Sequence, residues 1–409
     1  MITVIQRRIY LEKLKKLQDT RLIKVLTGVR RCGKSTLLQL FREYLLQSGV
    51  EENRLISINF EDLQFEGLLN YRKMHDYVSQ RLQEGKMNYV FLDEVQNVPK
   101  FQRAADSLFI KPNVDLYITG SNARLLSGEL ATLLSGRYIE LAMLPLSFSE
   151  YFEMKREGNG LRGGDKRETV NEYFRLGGFP YAASISDDEI RTDYIRGIYN
   201  TLLLKDIVAR KHIGNVELLE RVIRFLFDNI GNIVSAKKIA DSLSSAGTKT
   251  TPVTIEGYLE ALMDAFVLYK AGRYDVKGKQ HLKSLEKYYL VDMGLRRLLL
   301  GDPDRNIGFI LENIVYLELI RRGFLVQIGK VDDLEIDFIA QSGSEKIYYQ
   351  VAATVLDPVT FEREFEPLRK IKDNYPKFVL SMDELAMESD GIRQVNIIEF
   401  LLEGRTAKF

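Results

Sequence analysis

The chain has 409 residues, enough for roughly two to four domains, and its 58 lysines and arginines nearly balance 57 aspartates and glutamates, giving a net charge of +1. So small a charge excludes a general attraction to nucleic acid or membranes, and any such contact would need a local basic patch. The single cysteine excludes an intrachain disulfide, and with only three histidines the composition argues against a Cys/His zinc site.

The first 150 residues alternate between predicted strands and helices. The N-terminus lacks the apolar core of a signal peptide, and no stretch approaches the roughly 20 apolar residues that span a bilayer, so we expect a soluble, cytoplasmic protein. Short apolar runs separated by helical patterns predict an α/β fold with a parallel sheet and helices on both faces. The predicted strands cover residues 23–26, 55–60, 89–92, 116–119 and 137–141.

The segment after the first predicted strand fits the phosphate-binding pattern G-x-x-x-x-G-K-[ST]. In such a loop the glycines let the backbone wrap closely around phosphates, and the amide groups at the following helix N-terminus supply donors. We expect Lys34 to reach the β- and γ-phosphates and the Ser35 hydroxyl to bind Mg²⁺. The predicted nucleotide-binding residues are Gly28, Arg30, Arg31, Cys32, Gly33, Lys34, Ser35 and Thr36. The sequence therefore predicts a nucleoside triphosphate site rather than a glycine-rich turn with a solvated lysine.

The third predicted strand ends in two adjacent acids, Asp93 and Glu94. A hydrolytic triphosphate site needs a carboxylate in the magnesium shell and a group that orients or deprotonates the attacking water. We expect Asp93 to complete the metal shell and Glu94 to be the catalytic base. Two solvated acids at the end of a strand are the alternative.

Two later positions are candidates for contact with the γ-phosphate. The fourth predicted strand leads into Ser121 and Asn122, and a sheet ordered as in other such ATPases would place one of them near the γ-phosphate as a sensor. Arg137 precedes the fifth strand, and its guanidinium could stabilise transition-state charge on the nucleotide of a neighbouring subunit. A polar turn and a plain surface arginine fit the same positions.

Beyond residue 150 the alternating pattern gives way to a mostly helical one. Residues 155–165 hold four glycines and five charged residues, which predicts a flexible loop or a domain boundary. A helical pattern then covers residues 168–232 and is interrupted by the GGFP segment at 177–180. This order indicates that a helical region follows the α/β domain.

Residues 233–300 follow the element order of a winged helix. A short serine-capped helix over 234–243, a turn around Gly247 and a second helix over 253–268 precede a basic, glycine-centred hairpin over 272–283. The sequence therefore predicts a winged-helix domain here.

Double-stranded DNA is a candidate partner of this domain through the hairpin rather than the second helix. That helix carries Glu256, Glu260 and Asp264 and few basic residues, which opposes phosphate binding. The basic residues of the hairpin and its end are Arg273, Lys277, Lys279, Lys283 and Lys287, interleaved with Tyr274 and His281. Packing against protein, or simple solvation, is the alternative for the same side chains.

The last hundred residues predict a mixed domain with a helix over 308–322 and strands over 324–328, 336–340, 347–351 and 378–381. Glu312 on the helix and Asp337 and Gln350 on strands look like the PD-(D/E)xK nuclease arrangement, in which such groups and a lysine hold metal and activate water. The lysine position of that pattern is Ala352, which argues against cleavage. A small mixed domain with surface acids is the alternative to a degenerate nuclease-like fold.

Taken together, these motifs resemble the prokaryotic AAA-type predicted ATPases, in which a C-terminal region of unassigned function follows the ATPase domain. The resemblance covers nearly the whole chain and implies an AAA-like core with a helical lid, ATP and Mg²⁺ as ligands, and hydrolysis between subunits of a homo-oligomer. The segments that carry it are GVRRCGKS at 28–35, FLDEVQ at 91–96, TGSN at 119–122, LSGR at 134–137, PLSFSE at 145–150, GFP at 178–180, LKDI at 204–207, ENIV at 312–315, EIDF at 335–338 and YQV at 349–351.

The predicted function is a magnesium-dependent AAA-type ATPase that couples hydrolysis to a DNA- or protein-directed C-terminal region. A slow, nucleotide-gated regulatory or DNA-binding module is the alternative, and an ATP-dependent nuclease is a third hypothesis, opposed by Ala352. The predicted domains are an ATPase domain over 1–153, a helical lid over 168–232, a winged helix over 233–300 and a degenerate nuclease-like domain over 301–409.

Overall fold

The structure is a computed structural model that describes residues 5–123, 134, 136–158, 165–211, 213–278, 280–302 and 307–403. The chain forms two compact units, the first running to Pro145 and the second starting at Leu146, with the short segment Asp264–Phe266 grouped with the first. Within the described ranges, no helix is both long and apolar enough to cross a membrane.

A parallel five-stranded sheet forms the core of the first unit, in the order β2-β3-β4-β1-β5. Its strands are β1 (Ile23–Thr27), β2 (Leu55–Asn59), β3 (Asn88–Asp93), β4 (Val114–Gly120) and β5 (Tyr138–Ala142). All five predicted strands are confirmed, with small shifts at their ends. Every residue of β1 and β3 is buried, as expected for strands that are covered on both faces.

The helices described in the first unit cover both faces of this sheet. They are α1 (Arg8–Leu17), α2 (Lys34–Gln47), α3 (Tyr71–Ser79) and α4 (Phe101–Ile110). Successive side chains of a strand point to opposite faces, so Val90 and Leu92 of β3 lie in an apolar cluster with Met74 of α3. Phe91, between them, makes a ring contact with Phe41 of α2 on the other face. The predicted three-layer α/β architecture is confirmed.

The sheet order brings three chain segments to one edge. Because all five strands are parallel, their carboxyl ends lie at the same edge, and β4 separates β1 from β3. β1 ends at Thr27, immediately before the phosphate-loop segment; β3 ends at Asp93; and β4 ends just before Ser121. This is the edge at which open α/β sheets bind their ligands.

The second unit begins with helices. They are α5 (Phe148–Gly158), α6 (Lys166–Leu176), α7 (Pro180–Ser184), α8 (Asp188–Thr201) and α9 (Val216–Asp228). α8 continues into a π-helical segment, Leu202–Val208, and a last turn, Ala209–Lys211. The helical pattern expected over 168–232 matches these elements, and the GGFP interruption separates α6 from α7.

The loop predicted over 155–165 is wrong in its first part, because α5 continues through Gly158. Lys155, Arg156 and Glu157 are good or acceptable helix formers, so the helix of preceding residues extends through them before the first glycine. The remaining residues of that segment, 159–164, lie outside the described ranges.

A nine-stranded sheet is central to the second unit, in the order β13-β14-β12-β11-β10-β9-β7-β8-β6. Its strands are β6 (Ile233–Val234), β7 (Leu268–Asp275), β8 (Gln280–Leu290), β9 (Leu325–Val331), β10 (Leu334–Ser342), β11 (Glu345–Val351), β12 (Lys377–Ser381), β13 (Glu388–Ser389) and β14 (Ile392–Asn396). The four strands predicted in the last hundred residues correspond to β9 to β12. The sequence patterns did not predict the short strands β13 and β14.

The segment predicted as a winged helix contributes β6 to β8 and two helices, α10 (Ala236–Ser245) and α11 (Pro252–Asp264). β6 and β7 both pair antiparallel with β8, so the two helices are followed by a hairpin. β7 starts earlier than predicted because the second helix ends at Asp264. β7 also pairs in parallel with β9, so strands from both predicted C-terminal domains share one sheet.

The remaining helices of the described chain are α12 (Met293–Leu300), α13 (Ile307–Arg321), α14 (Pro358–Arg369) and α15 (Ile397–Leu402). α13 is buried along most of its length, including the polar residues Glu312 and Asn313. An apolar cluster beside the sheet joins Tyr348 and Ala352 to Phe365 of α14. Glu312 is therefore a buried carboxylate, whereas the alternative interpretation predicted a surface acid.

Candidate nucleotide site

The phosphate-loop segment begins and ends with glycines in backbone conformations that suit a phosphate cradle. Gly28 has φ 141° and Gly33 has φ 102°, both in the region that favours glycine. A Cβ at position 28 would lie 2.2 Å from the carbonyl oxygen of Met143. α2 begins at Lys34 with no side-chain cap from Gly33, so its first amide groups point toward the loop without a side-chain acceptor.

The side chain of Lys34 lies inside the loop, with its ammonium group directed toward the first residues of the loop. Its Nζ donates to the carbonyl oxygens of Gly28 and Val29 at 3.0 and 3.4 Å. The same atom lies 3.6 Å from Oε1 of Glu94. The side chain is 3% exposed, so its charge is held in a largely dry site by main-chain carbonyls and one carboxylate.

Asp93 and Ser35 meet at the end of β3. The Ser35 hydroxyl and the Thr119 hydroxyl both donate to the Asp93 carboxylate. Thr119 Oγ1 also accepts the backbone N–H of Glu94 at 2.8 Å, so one hydroxyl fixes both acids. Burial raises the pKa of Asp93 above its ordinary value, although these hydrogen bonds oppose the shift.

Glu94 is held by three groups at the same edge. Its Oε2 accepts from the Ser121 hydroxyl at 3.1 Å and from the Gln96 side-chain amide. Burial would raise the pKa of Glu94, but Lys34 and the hydrogen bond from Gln96 outweigh it and hold the pKa below its ordinary value. The residue has φ 53°, a conformation rare for a non-glycine residue and common at functional sites. Glu94 is therefore an ionised carboxylate next to the phosphate loop.

The other predicted loop residues have different surroundings. Arg30 forms an ion pair with Glu61 at 2.8 Å, whereas Arg31 is exposed and has φ 64°. Cys32 is a buried free thiol. Its carbonyl oxygen accepts a 2.7 Å hydrogen bond from the guanidinium of Arg7, which is itself buried. The N-terminal segment thus holds the loop in place through an arginine that no sequence pattern singled out.

The structure separates the two candidates for contact with the γ-phosphate. Ser121 touches Glu94, and the adjacent Asn122 is buried at the same edge. Arg137 precedes β5, whose first residue pairs with the first residue of β1, so it lies at the opposite edge of the sheet. Its guanidinium pairs with Asp106 of α4. Arg137 therefore does not join the site within its own chain.

In the second unit, the predicted acidic positions are brought together. Gln350 Oε1 accepts from the backbone N–H of Asp337 at 2.7 Å, and the Val351 N–H donates to Asp337 Oδ2 at 2.9 Å. Glu312 Oε1 accepts from the Tyr289 hydroxyl at 2.6 Å. Ala352 lies in the apolar core and carries no polar group.

The basic hairpin offers fewer free charges than its sequence suggests. Both carboxylate oxygens of Asp332 accept from Lys277, at 2.6 and 2.7 Å. Lys287, at the end of the hairpin, is 3% exposed and lies among acids, so it is not available to a DNA backbone. Arg273 is half-buried, while Lys279 and the side chains of His281 and Lys283 lie outside the described residues.

Comparisons with known proteins divide the chain close to the boundary between the two units. Residues 20–152 match the model of an AAA domain, and residues 167–306 match a domain of unknown function, DUF8612. An uncharacterized protein of Haemophilus influenzae is 40% identical over 98% of this chain and 99% of its own length. An uncharacterized protein of Methanocaldococcus jannaschii is 32% identical, over 86% of this chain and 79% of its own. A Walker-type ATPase of Pyrococcus abyssi superposes on 72% of the chain and 96% of its own, with 18% identity and a TM-score of 0.44.

Proposed function

Because this chain belongs to the family of AAA-type proteins that includes its Haemophilus influenzae relative, we propose that it binds ATP with Mg²⁺ and hydrolyses it. The observation that carries the proposal is the meeting of Lys34, Ser35, Asp93 and Glu94 at the carboxyl edge of one parallel sheet. These four residues come from two distant segments of the sequence. They include a cation for phosphate, oxygen ligands for a metal ion and an ionised base.

The residues fit a magnesium ion by their chemistry. Ser35 and Asp93 supply a hydroxyl and one carboxylate oxygen, which leaves the other positions to phosphate oxygens and water, as Mg²⁺ prefers. Bound Mg²⁺ would neutralise charge on the phosphates. Asp93 is buried among hydroxyl donors and has a raised pKa, so a cation there would favour its ionised form.

The other residues of the loop would bind and orient the nucleotide. Lys34 would exchange its hydrogen bonds to the carbonyls of Gly28 and Val29 for bonds to phosphate oxygens. The amides at the N-terminus of α2, which has no side-chain cap, would face the phosphates. The lowered pKa of Glu94 keeps its carboxylate ionised, which is the form that a general base needs.

We also propose roles for the two outlying candidates. Asn122, buried beside Ser121 in the sequence, would sense the γ-phosphate. Arg137 would act on the nucleotide of a neighbouring subunit in a homo-oligomer, which requires that it leave Asp106. The helices over 168–232 would form the lid of the ATPase.

The C-terminal region is proposed to contain a winged helix over 233–300 and a degenerate nuclease-like fold over 301–409. The order β6-α10-α11-β7-β8 supports the first assignment. The order α13-β9-β10-β11-α14-β12 and the pairing of Asp337 with Gln350 support the second. The region would be directed at DNA or protein, with any DNA contact made through Arg273, Lys277, Lys279 and Lys283.

A slow, nucleotide-gated switch is a second candidate function, and the state of Glu94 favours it. Ser121, Gln96 and Lys34 all engage this carboxylate, and a base held by three donors is a poor proton acceptor until they release it. Turnover measured with and without duplex DNA would separate a switch from a continuous ATPase.

Two variants test the central proposal. Glu94→Gln should retain ATP affinity and lose hydrolysis, since the amide keeps the shape of the side chain without its basicity. Lys34→Ala should lose about 10- to 100-fold in affinity, the equivalent of a charge-assisted hydrogen bond. Lys73→Ala, on the exposed face of α3, is the matched control. Hydrolysis by Glu94→Gln at the wild-type rate would refute the assignment.

A further inference from the structure

Lys287 of β8 points its ammonium group into a cluster of three carboxylates in the second unit. Its Nζ lies 2.8 Å from Glu312 Oε1, 2.7 Å from Glu335 Oε1 and 3.8 Å from Asp337 Oδ1. The lysine side chain is only 4% exposed. The ammonium donates a hydrogen bond to Glu312 and forms an ion pair with Glu335, while Asp337, at 3.8 Å, contributes its charge from just beyond hydrogen-bond distance.

The three acids come from two elements, and the nuclease-like pattern includes two of them, Glu312 and Asp337, but not Glu335. Glu312 lies on α13, and Glu335 and Asp337 lie on β10. Lys287 comes from the hairpin of the preceding segment, which is predicted to belong to another domain. The strand that carries this lysine, β8, is therefore not one of the elements of the nuclease-like pattern.

The surrounding groups are arranged for an ammonium rather than for a metal ion. Gln350 directs its oxygen to the N–H of Asp337 and its amide to Glu364 at 3.1 Å, so both ends of this side chain already have hydrogen-bond partners. The Tyr289 hydroxyl donates to the same Glu312 oxygen that Lys287 contacts. With Lys287 in place, no group of three His, Cys, Asp or Glu side chains in the part of the chain that the structure describes is placed to hold a metal ion.

Electrostatics explains why a cation is required at this point. Buried carboxylates close to one another repel, and burial raises the pKa of both Glu312 and Asp337. Lys287 opposes both shifts. A buried charge without a partner is costly, so removal of the ammonium would leave a site in need of another cation.

We infer that the ammonium of Lys287 is the resident cation of this carboxylate cluster and occupies the place that a divalent metal ion would need. The native C-terminal region then neither binds a catalytic metal there nor cleaves phosphodiester bonds. Lys287 does not replace the lysine that is missing at Ala352, because its ammonium pairs with the acids themselves. This inference concerns the second unit alone and does not depend on ATP hydrolysis.

The test is a Mn²⁺ titration of the full chain without nucleotide, followed by electron paramagnetic resonance and by thermal unfolding. Lys287→Met should gain one Mn²⁺ site per chain relative to wild type, with an upward shift of several degrees in melting temperature on metal addition. Lys287→Met combined with Glu312→Gln should lose that gain. Lys270→Met, which removes an exposed partner of Glu286 on the same hairpin, should behave as wild type.

Each other outcome contradicts the inference. If Lys287→Met unfolds without metal, Mn²⁺ in the buffer should restore its fold, and failure to do so would refute an exchange of one cation for another. A folded Lys287→Met with no added Mn²⁺ site would refute it as well. So would cleavage of duplex DNA by wild type with Mn²⁺ that Lys287→Met abolishes, since Lys287 would then assist a metal instead of replacing it.

Discussion

Each of the two units contains a buried lysine beside acids, and the two lysines differ in how firmly they are held. Lys34 donates to two main-chain carbonyls and lies 3.6 Å from a single carboxylate, that of Glu94. Lys287 lies within 2.8 Å of two carboxylates and near a third. Neutral carbonyl partners can be exchanged for phosphate at small cost, whereas a set of carboxylates cannot. The first lysine is poised to bind a ligand, and the second is part of the structure.

The acids reflect the same difference. The pKa of Glu94 is held below its ordinary value because Lys34 and hydrogen bonds outweigh burial. The pKa values of Glu312 and Asp337 are raised because burial outweighs the attraction of Lys287. A single acid with a cation and neutral donors remains ionised and reactive. A cluster of acids around one ammonium depends on that ammonium to offset the repulsion between the carboxylates.

The largest expected effect is on stability. Lys287→Met should lower the free energy of unfolding of the second unit by about 3–5 kcal/mol, the usual cost of removing one partner from a buried ion pair. Urea unfolding followed by circular dichroism would measure it. Lys270→Met, at an exposed pair, should cost less than about 1 kcal/mol. Equal losses of stability in the two variants would contradict the conclusion that Lys287 is part of the structure.

The next effect concerns the hydroxyl that fixes both acids of the nucleotide site. Thr119→Val keeps the shape of the side chain but loses the bonds to Asp93 and to the N–H of Glu94. We expect kcat to fall by about 10- to 100-fold, in line with about 1–3 kcal/mol for an unsatisfied buried group. Thr119→Ser keeps the hydroxyl and should retain most activity. Steady-state ATPase rates at several Mg²⁺ concentrations would show whether the loss lies in metal affinity or in kcat.

The sequence predicted most of the first unit because its signals are local. The phosphate-loop pattern, the two acids after β3 and five apolar runs lie in short windows, and a parallel sheet necessarily brings the ends of its strands together. Thr119 belongs to the TGSN segment at 119–122, but its two hydrogen bonds depend on the register between β3 and β4. Arg7 was missed because nothing in its neighbours indicates a guanidinium that binds main-chain carbonyls 25 and 137 residues away.

The second unit shows where sequence reasoning failed. Lys287 belongs to a basic run, and such a run made the hairpin a candidate DNA contact while leaving packing against protein open. Its burial depends on the approach of α13 and β10, which are distant in the sequence. The absent lysine at Ala352 could be seen in the sequence. The lysine that fills the cluster instead could be found only from the structure.

A third prediction concerns pH and Asp93. Its folded pKa is raised above the unfolded value, so the folded chain without nucleotide binds a proton that the unfolded chain releases. Stability of the first unit should therefore fall as pH rises from the ordinary carboxyl range, near 4, through the raised value. Mg²⁺·ATP affinity should change in the opposite direction and weaken as pH falls. Asp93→Asn should flatten the stability profile, and an unchanged profile would contradict a titrating Asp93.

The smallest expected effect tests whether Glu94 is restrained. Ser121→Ala removes one of three groups that engage this carboxylate while Gln96 and Lys34 remain. If the bond holds the base back, kcat should rise about 2- to 5-fold, which corresponds to less than about 1 kcal/mol. Ser48→Ala, at the exposed end of α2, is the matched control. Single-turnover rates would separate this change from product release. A lower rate of the chemical step would mean that Ser121 positions the base and does not restrain it. The slow-switch hypothesis would then lose its support, because Glu94 would be as ready to react as Lys34 is to bind.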